Sequence, residues 1–136
     1  MFALAPHPRN ARIKQISLDE LGIQQFAQEK FEDALSSFHE ARRIRSKALG
    51  PSHPKISMVL NNIACCNFQL GNARGALLTM QEERDNHQKH VAGSSAKADL
   101  DLLHSAIALS NYGYLKLNLK QYEDAAACFE EALLVS

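Results

Sequence analysis

The stretch that decides the fold is residues 119–133, LKQYEDAAACFEEAL, because residues 28–42, QEKFEDALSSFHEAR, repeat its pattern. In both stretches an aromatic residue precedes Glu-Asp-Ala, a Phe follows four residues after that Ala, and a second Ala follows three residues later. Apolar residues at spacings of three and four form one stripe on a helix. A stripe that recurs along the chain indicates a repeat array, in which each unit buries its apolar face against the next.

Composition limits the classes of protein to consider. The chain has 136 residues, of which 46% are hydrophobic, so it is long enough for one folded domain. Its 15 Lys and Arg balance its 15 Asp and Glu, which argues against nucleic acid and against electrostatic attachment to a membrane. No apolar run approaches the roughly 20 residues that a membrane-spanning helix needs.

The three cysteines argue for a reducing compartment. Their number is odd, and Cys65 and Cys66 are adjacent, which is not the pattern of a disulfide framework. We therefore predict a cytoplasmic location. An organelle lumen, reached after removal of a targeting segment, remains an open alternative.

Helical periodicity accounts for nearly all of the chain. Residues 1–9, with Pro6 and Pro8, are predicted to form an extended lead-in to a domain of residues 10–136. Ser17 and Glu20 could form a capping box, but Ile13 and Ile16 already fit the helical period and favour an earlier start. The predicted helices are 10–27, 31–48, 54–70, 73–90, 96–119 and 121–135.

Short turns pair these helices. The turn inside each pair is expected at Glu29, Gly71 and Lys120, which are 42 and 49 residues apart. The loop Gly50–Pro54 separates the first pair from the second, since Gly ends helices and Pro starts them. The predicted fold is therefore all-α, with three antiparallel helix pairs at about 10–50, 54–92 and 96–135.

The paired helices resemble tetratricopeptide repeats (TPR), in which small residues let the two helices approach and aromatic residues fill the space between pairs. The second repeat matches less well, with Glu83 where a small residue is expected. The 42-residue spacing, with ALGPSHP at 48–54 and LNNIA at 60–64, is similar to the kinesin-light-chain repeat type. The matching residues are Leu21, Gly22, Phe31, Ala34, Phe38 and Ala41 in the first repeat, Ile63, Ala64, Ala73, Ala76 and Met80 in the second, and Tyr112, Gly113, Tyr122, Ala125, Phe129 and Ala132 in the third.

This resemblance implies a right-handed α-α superhelix, a TPR solenoid, whose concave groove binds a peptide or protein segment. In the family an Asn of the first helix pairs with the backbone of a bound peptide, and Asn62 and Asn111 match that position. The alternative is that both bond only to neighbouring helices. The remaining groove candidates are Cys65, Tyr114, Gln69 and Asn118. Asp19 and Glu20 are expected in the first repeat's groove, where they would repel a carboxylate terminus.

No cluster of residues indicates catalysis, a metal or a cofactor. Adjacent cysteines on a helix point about 100° apart, so Cys65 and Cys66 are predicted to be packing residues. Glu83, His87 and His90 share a helix face but match no zinc-enzyme spacing, and a solvated polar face is favoured. Neither a Gly-x-Ser-x-Gly motif nor a Gly-rich phosphate loop occurs.

The sequence therefore predicts a non-catalytic scaffold with a protein or peptide partner. The alternative is a structural subunit, or a fragment of a longer array, inside a larger assembly. Leu133, Leu134 and Val135 motivate that alternative, because solenoids usually end in a polar capping helix. A second copy of the chain, a further repeat or a large neighbour would each cover this apolar end.

Overall fold

The computed structural model describes residues 3–5, 17–51, 53–92 and 99–135, without the side chains of residues 87, 90–92, 99–105 and 135. The described residues form six α-helices and no strands. Each odd-numbered helix packs along the helix that follows it, and α2 also packs along α3. The predicted all-α class, with three helix pairs arranged as in a TPR superhelix, is confirmed. The helices are α1 Leu18–Ala27, α2 Phe31–Leu49, α3 Pro54–Gln69, α4 Ala73–Ala92, α5 Asp99–Asn118 and α6 Tyr122–Val135.

The three turns inside the pairs have the same geometry. Glu29, Gly71 and Lys120 have φ angles of 60°, 81° and 64°, which is the left-handed conformation. In each turn, the residue that follows the left-handed residue donates its N–H to a carbonyl. The acceptor lies five positions before the donor, and the distance is 2.8 Å in all three turns. This is the bond that closes a helix end of the Schellman type. The three turn positions expected from the sequence are therefore correct.

The predicted start of the first helix is wrong. Helix α1 begins at Leu18, and Ser17 has the extended angles of an N-cap, with φ −70° and ψ 164°. The Ser17 hydroxyl accepts a hydrogen bond from the N–H of Glu20 at 3.2 Å. A helix cannot run through an extended residue, so the cap decides this boundary and not the period of Ile13 and Ile16. Residues 10–16 lie outside the described residues.

Two glycines let the helices of a pair approach closely. A Cβ on Gly22 of α1 would lie 2.6 Å from Cε1 of Phe38 in α2. A Cβ on Gly113 of α5 would lie 2.9 Å from Cε1 of Phe129 in α6. The role that the resemblance gives to these small residues is confirmed, because a side chain at either position would overlap the partner helix's ring.

The core consists of two clusters of buried side chains. One joins α2 to α3 and is built around Phe38 and Ile63. The other joins the second pair to the third and includes Met80, Tyr112 and Leu115. Leu4 and Phe26 pack against both clusters. Residue 4 therefore lies where successive helix pairs meet, although it belongs to no helix.

Ion pairs join the second helices of successive pairs. Arg42 of α2 pairs with Glu82 of α4, and Arg84 of α4 pairs with Glu131 of α6 at 3.0 Å. Each arginine directly follows the position at which the second helix of a repeat has its last small residue. The two ion pairs therefore recur at equivalent positions of successive repeats. These groups are partly exposed, and such pairs each contribute about 0–1 kcal/mol. Their contribution to the stability of the fold is therefore small.

Within the described part of the chain, no helix combines the length and the apolar character needed to span a membrane.

Candidate functional site: an asparagine-lined groove

Helices α3 and α5 place three asparagines side by side in the protein interior. Asn61, Asn62 and Asn111 have only 0%, 3% and 1% of their surface exposed. A buried amide without hydrogen-bond partners would cost several kcal/mol, so these side chains need partners. An amide can both donate and accept, which suits it to pair with a peptide backbone.

The three amides are linked to one another. The Nδ2 of Asn111 donates to the Oδ1 of Asn61 at 2.8 Å, which joins α5 to α3. The Nδ2 of Asn61 donates to the Oδ1 of Asn62 at 3.3 Å. A network of this kind fixes which way each amide points, so its free donors and acceptors have a defined direction.

Those donors and acceptors hold the chain's own residues 3–5. The Oδ1 of Asn111 accepts from the N–H of Ala3 at 2.9 Å, and its Nδ2 donates to the carbonyl of Ala3 at 2.8 Å. The Oδ1 of Asn62 accepts from the N–H of Ala5 at 2.7 Å. Both alanines turn their polar backbone groups to the same side, as alternate residues of an extended chain do. The groove therefore holds a backbone in the manner of a neighbouring β-strand.

Two further donors converge on the carbonyl of Ala3. The Nδ2 of Asn61 lies 3.1 Å from it, and the Sγ of Cys65 lies 3.5 Å from it. With Asn111, three side chains therefore surround one backbone oxygen. The burial of the segment is uneven: the side chain of Ala5 is 2% exposed, Leu4 is half-buried and Ala3 is exposed.

The predicted groove residues divide into two groups. Asn62, Asn111 and Cys65 surround residues 3–5. Tyr114 lies further along α5, with its ring 5.7 Å from that of Phe68 in an edge-to-face contact. Gln69 and Asn118 are exposed at the ends of α3 and α5. A peptide-binding role for all six residues stays a prediction.

Sequence reasoning missed Asn61 and the segment that fills the groove. Asn61 stands next to Asn62 in the quoted stretch 60–64, but only Asn62 matches the family position that pairs with a bound peptide, so Asn61 was not assigned to the groove. Both are buried because α3 has neighbours on several sides. The contact between Ala3 and Asn111 joins residues 108 positions apart, and no local pattern in the sequence indicates it.

The acidic side chain expected in the first repeat's groove is not free there. Asp19 is buried and forms a two-point ion pair with Arg45 of α2, with one N–O distance of 2.8 Å. The positive charge of the guanidinium balances the carboxylate, so Asp19 does not repel a ligand as the sequence suggested. Burial lowers the pKa of Arg45. Glu20 is half-buried.

The cysteines of α3 have the environment of packing residues, as the sequence predicts. Both are fully buried. Burial raises the pKa of Cys65 well above its usual range and raises that of Cys66 to about 12. Their thiols therefore stay protonated at neutral pH, and a protonated thiol is a poor nucleophile and a poor metal ligand.

No three potential metal ligands come together among the described residues. Glu83 is 4% exposed, so the expected solvated face is wrong for this residue. Glu83 is enclosed because it takes the small-residue position of the second repeat, which faces the neighbouring helices. The side chains of His87 and His90, which the sequence placed on the same face, lie outside the described residues.

Comparison with known proteins identifies the repeat. A family model described as "Tetratricopeptide repeat" matches residues 15–89, more than half of the chain. The match covers the first helix pair and most of the second. The third pair, beyond the match, has the same left-handed turn and the same glycine–phenylalanine contact. A search of curated proteins gives no match.

Proposed function

The chain belongs to the tetratricopeptide repeat family, whose non-catalytic repeats mediate protein–protein interactions, and on that premise we propose that its groove binds an extended segment of a partner protein. The chain itself is proposed to be a scaffold without catalytic activity. Its affinity would come from the amides of α3 and α5, which bind backbone and therefore do not require one particular ligand sequence.

One observation carries this proposal: Asn111 binds both the N–H and the carbonyl of a single residue, Ala3, which lies outside every helix. If Asn111 bonded only to neighbouring helices, we would not expect its amide to pair with both the N–H and the carbonyl of one backbone residue. Each hydrogen bond of this kind contributes about 0.5–1.5 kcal/mol net. Two of them correspond to roughly 5- to 150-fold in affinity.

The test is a selection of short random peptides on the full chain, carried out with the substitution Leu4→Asp. This change places a charge where Leu4 packs against both core clusters and so removes the chain's own segment from the groove. Affinities of the selected peptides are then measured by fluorescence anisotropy. Circular dichroism verifies that each variant is folded.

In this background we expect Asn111→Ala to weaken the selected peptides by about 5-fold or more, because both backbone bonds disappear. Asn62→Ala should weaken them less, since Asn62 holds a single backbone N–H. The matched control is Gln81→Ala, which removes an exposed amide from α4. If Asn111→Ala leaves the affinity of the selected peptides unchanged, groove binding is refuted.

A second candidate function, a subunit packed inside a larger assembly, is favoured by the apolar end of α6. Leu133 and Leu134 are 76% and 86% exposed, the largest values among the exposed large hydrophobic residues of the described chain. Sedimentation velocity distinguishes this alternative. The alternative predicts that the chain associates with itself or with a defined neighbour, and that this association increases with concentration. The double substitution Leu133→Ser with Leu134→Ser should abolish the association.

Two finer assignments are part of the proposal. The 42-residue spacing between Glu29 and Gly71 supports the kinesin-light-chain type of repeat. The three reduced, buried cysteines support a cytoplasmic location. Imaging of the tagged chain in cells would test the location.

A further inference from the structure

Residues 3–5 have the contacts of a bound ligand. A segment that merely rested on the surface would keep its backbone groups in water. Here the N–H and the carbonyl of Ala3 and the N–H of Ala5 are all bonded to groove side chains. Leu4, between them, packs against both core clusters.

We propose that residues 3–5 are an internal ligand of the groove, and that a partner segment of the same type must displace them in order to bind. This inference rests on the proposed function, because it concerns the same groove. It identifies both the regulation of the site and the chemistry of its external ligand.

The external ligand is an extended, uncharged segment in which an aliphatic residue precedes a small one. The aliphatic residue takes the place of Leu4 between the two clusters. The small residue takes the place of Ala5, whose methyl group is enclosed with only 2% of the residue exposed. The side chains that contact the segment backbone are amides and a protonated thiol, and none of them would compensate a buried charge.

Covalent attachment makes the internal segment a strong competitor. A segment that belongs to the same chain as its site has an effective concentration on the order of 1 mM. Suppose that an external peptide of the same type binds with a Kd of about 10–100 µM. The groove would then be free in about one to ten per cent of molecules, and apparent affinity would fall by about 10- to 100-fold.

The test uses the peptides selected in the Leu4→Asp background and, as a probe of known sequence, a labelled peptide that copies residues 1–8, MFALAPHP. Each is titrated with the unaltered full chain, with Leu4→Asp, and with the control Gln81→Ala. Gln81 is an exposed amide of α4, so the control keeps the internal segment in place. We expect binding that is 10- to 100-fold tighter for Leu4→Asp than for the unaltered chain or for Gln81→Ala.

A second signature separates competition from simple binding. In the unaltered chain, Asn111→Ala weakens the internal and the external ligand together, so the apparent affinity changes little. In the Leu4→Asp background, Asn111→Ala weakens only the external ligand, so its full loss of affinity is measured. A loss of equal size in both backgrounds would overturn the internal-ligand proposal.

The outcomes also separate this inference from the proposed function. Peptides that depend on Asn111 but bind the unaltered chain and Leu4→Asp equally well would overturn the inference and leave the groove function standing. An absence of Asn111-dependent peptides in both backgrounds would overturn the groove function. Self-exchange of the segment between copies, detected as a dimer that Leu4→Asp dissolves, would overturn its role within one chain.

If Leu4→Asp does not fold, Ala5→Leu is the second variant, because it enlarges an enclosed side chain without adding charge. A measurement on the unaltered chain is independent of both. The amide hydrogens of Ala3 and Ala5 should exchange at least 10-fold more slowly than in the free peptide, and a saturating external peptide should remove that protection. Exchange at the free-peptide rate in the unliganded chain would overturn the proposal.

Discussion

Replacing Gly22 with alanine should destabilise the first helix pair, although alanine is the better helix former. The new Cβ would lie 2.6 Å from Cε1 of Phe38, 2.8 Å from Cζ and 2.9 Å from Cδ1, whereas ordinary contacts begin at about 3.4 Å. Phe38 is fully buried, so its ring has no free space to enter. Overpacking of this kind costs about 1–3 kcal/mol.

Gly113→Ala is the matched comparison. Its Cβ would lie 2.9 Å from Cε1 of Phe129, and that ring is half-buried and better able to move. Both substitutions gain about 1 kcal/mol from helix propensity. Because Phe38 is fully buried and cannot move aside, the overpacking cost of Gly22→Ala should lie in the upper part of that range, at about 2–3 kcal/mol. Less the propensity gain, this predicts a loss of about 1–2 kcal/mol in the free energy of unfolding for Gly22→Ala. For Gly113→Ala the smaller overpacking cost roughly cancels the gain, so the change should stay within about 0.5 kcal/mol.

Urea denaturation followed by far-UV circular dichroism measures both values, and the Tm of Gly22→Ala should fall by about 3–8 °C. In a Phe38→Leu background, which makes room beside the glycine, Gly22→Ala should cost about 1 kcal/mol less. If Gly22→Ala is as stable as the original chain, or if Gly113→Ala loses more, the close-approach argument fails.

Three further predictions concern stability. Asp19→Ala should lower the free energy of unfolding by about 3 kcal/mol, because Arg45 is left largely buried without its partner. Glu40→Ala, at an exposed pair, should leave the free energy of unfolding nearly unchanged in the same urea titration. The raised pKa of Cys66, about 12 against 9.0, means that the native state keeps a proton that the unfolded chain loses, so stability should fall as pH rises above 9. Urea titrations at increasing pH should show a shallower fall for Cys66→Ala, and identical slopes would contradict the assignment. Glu29→Gly should raise the Tm, because relief of a left-handed φ of 60° is worth about 1–2 kcal/mol, which exceeds the roughly 0.5–1 kcal/mol of chain entropy that glycine costs. A lowered Tm would argue against this.

The repetitive part of the fold could be predicted from the sequence because it depends on local signals. The polar turns at Glu29 and Lys120 each lie two residues before the aromatic residue of their repeat, and both residues adopt the left-handed conformation that a glycine would provide. The pairing of Gly113 with Phe129 follows from the same periodicity. Such features repeat, so each copy supports the interpretation of the others.

The other features of the fold and of the candidate site depend on contacts between distant residues, or on a choice between two local signals. At the start of α1, Ser17 and Glu20 provided a cap while Ile13 and Ile16 provided a period, and sequence alone does not weigh one against the other. The side of α1 on which Asp19 lies became clear only from its partner Arg45, 26 residues away. The filled groove is the extreme case, because an Ala-Leu-Ala stretch has no feature that distinguishes it from an ordinary linker.

The position of the bound segment also affects the mechanics of the array. Among helices that are consecutive in the chain, α4 and α5 share the least extensive contact in the described residues. Residues 3–5 bond to both α3 and α5, and so they bridge the second and third helix pairs at the junction with the least contact. We therefore expect a backbone in the groove to stiffen that junction, and the junction to bend more easily when the groove is empty. If curvature depends on occupancy in this way, a distance between labels on α2 and α6 should change on binding, although neither label contacts the site.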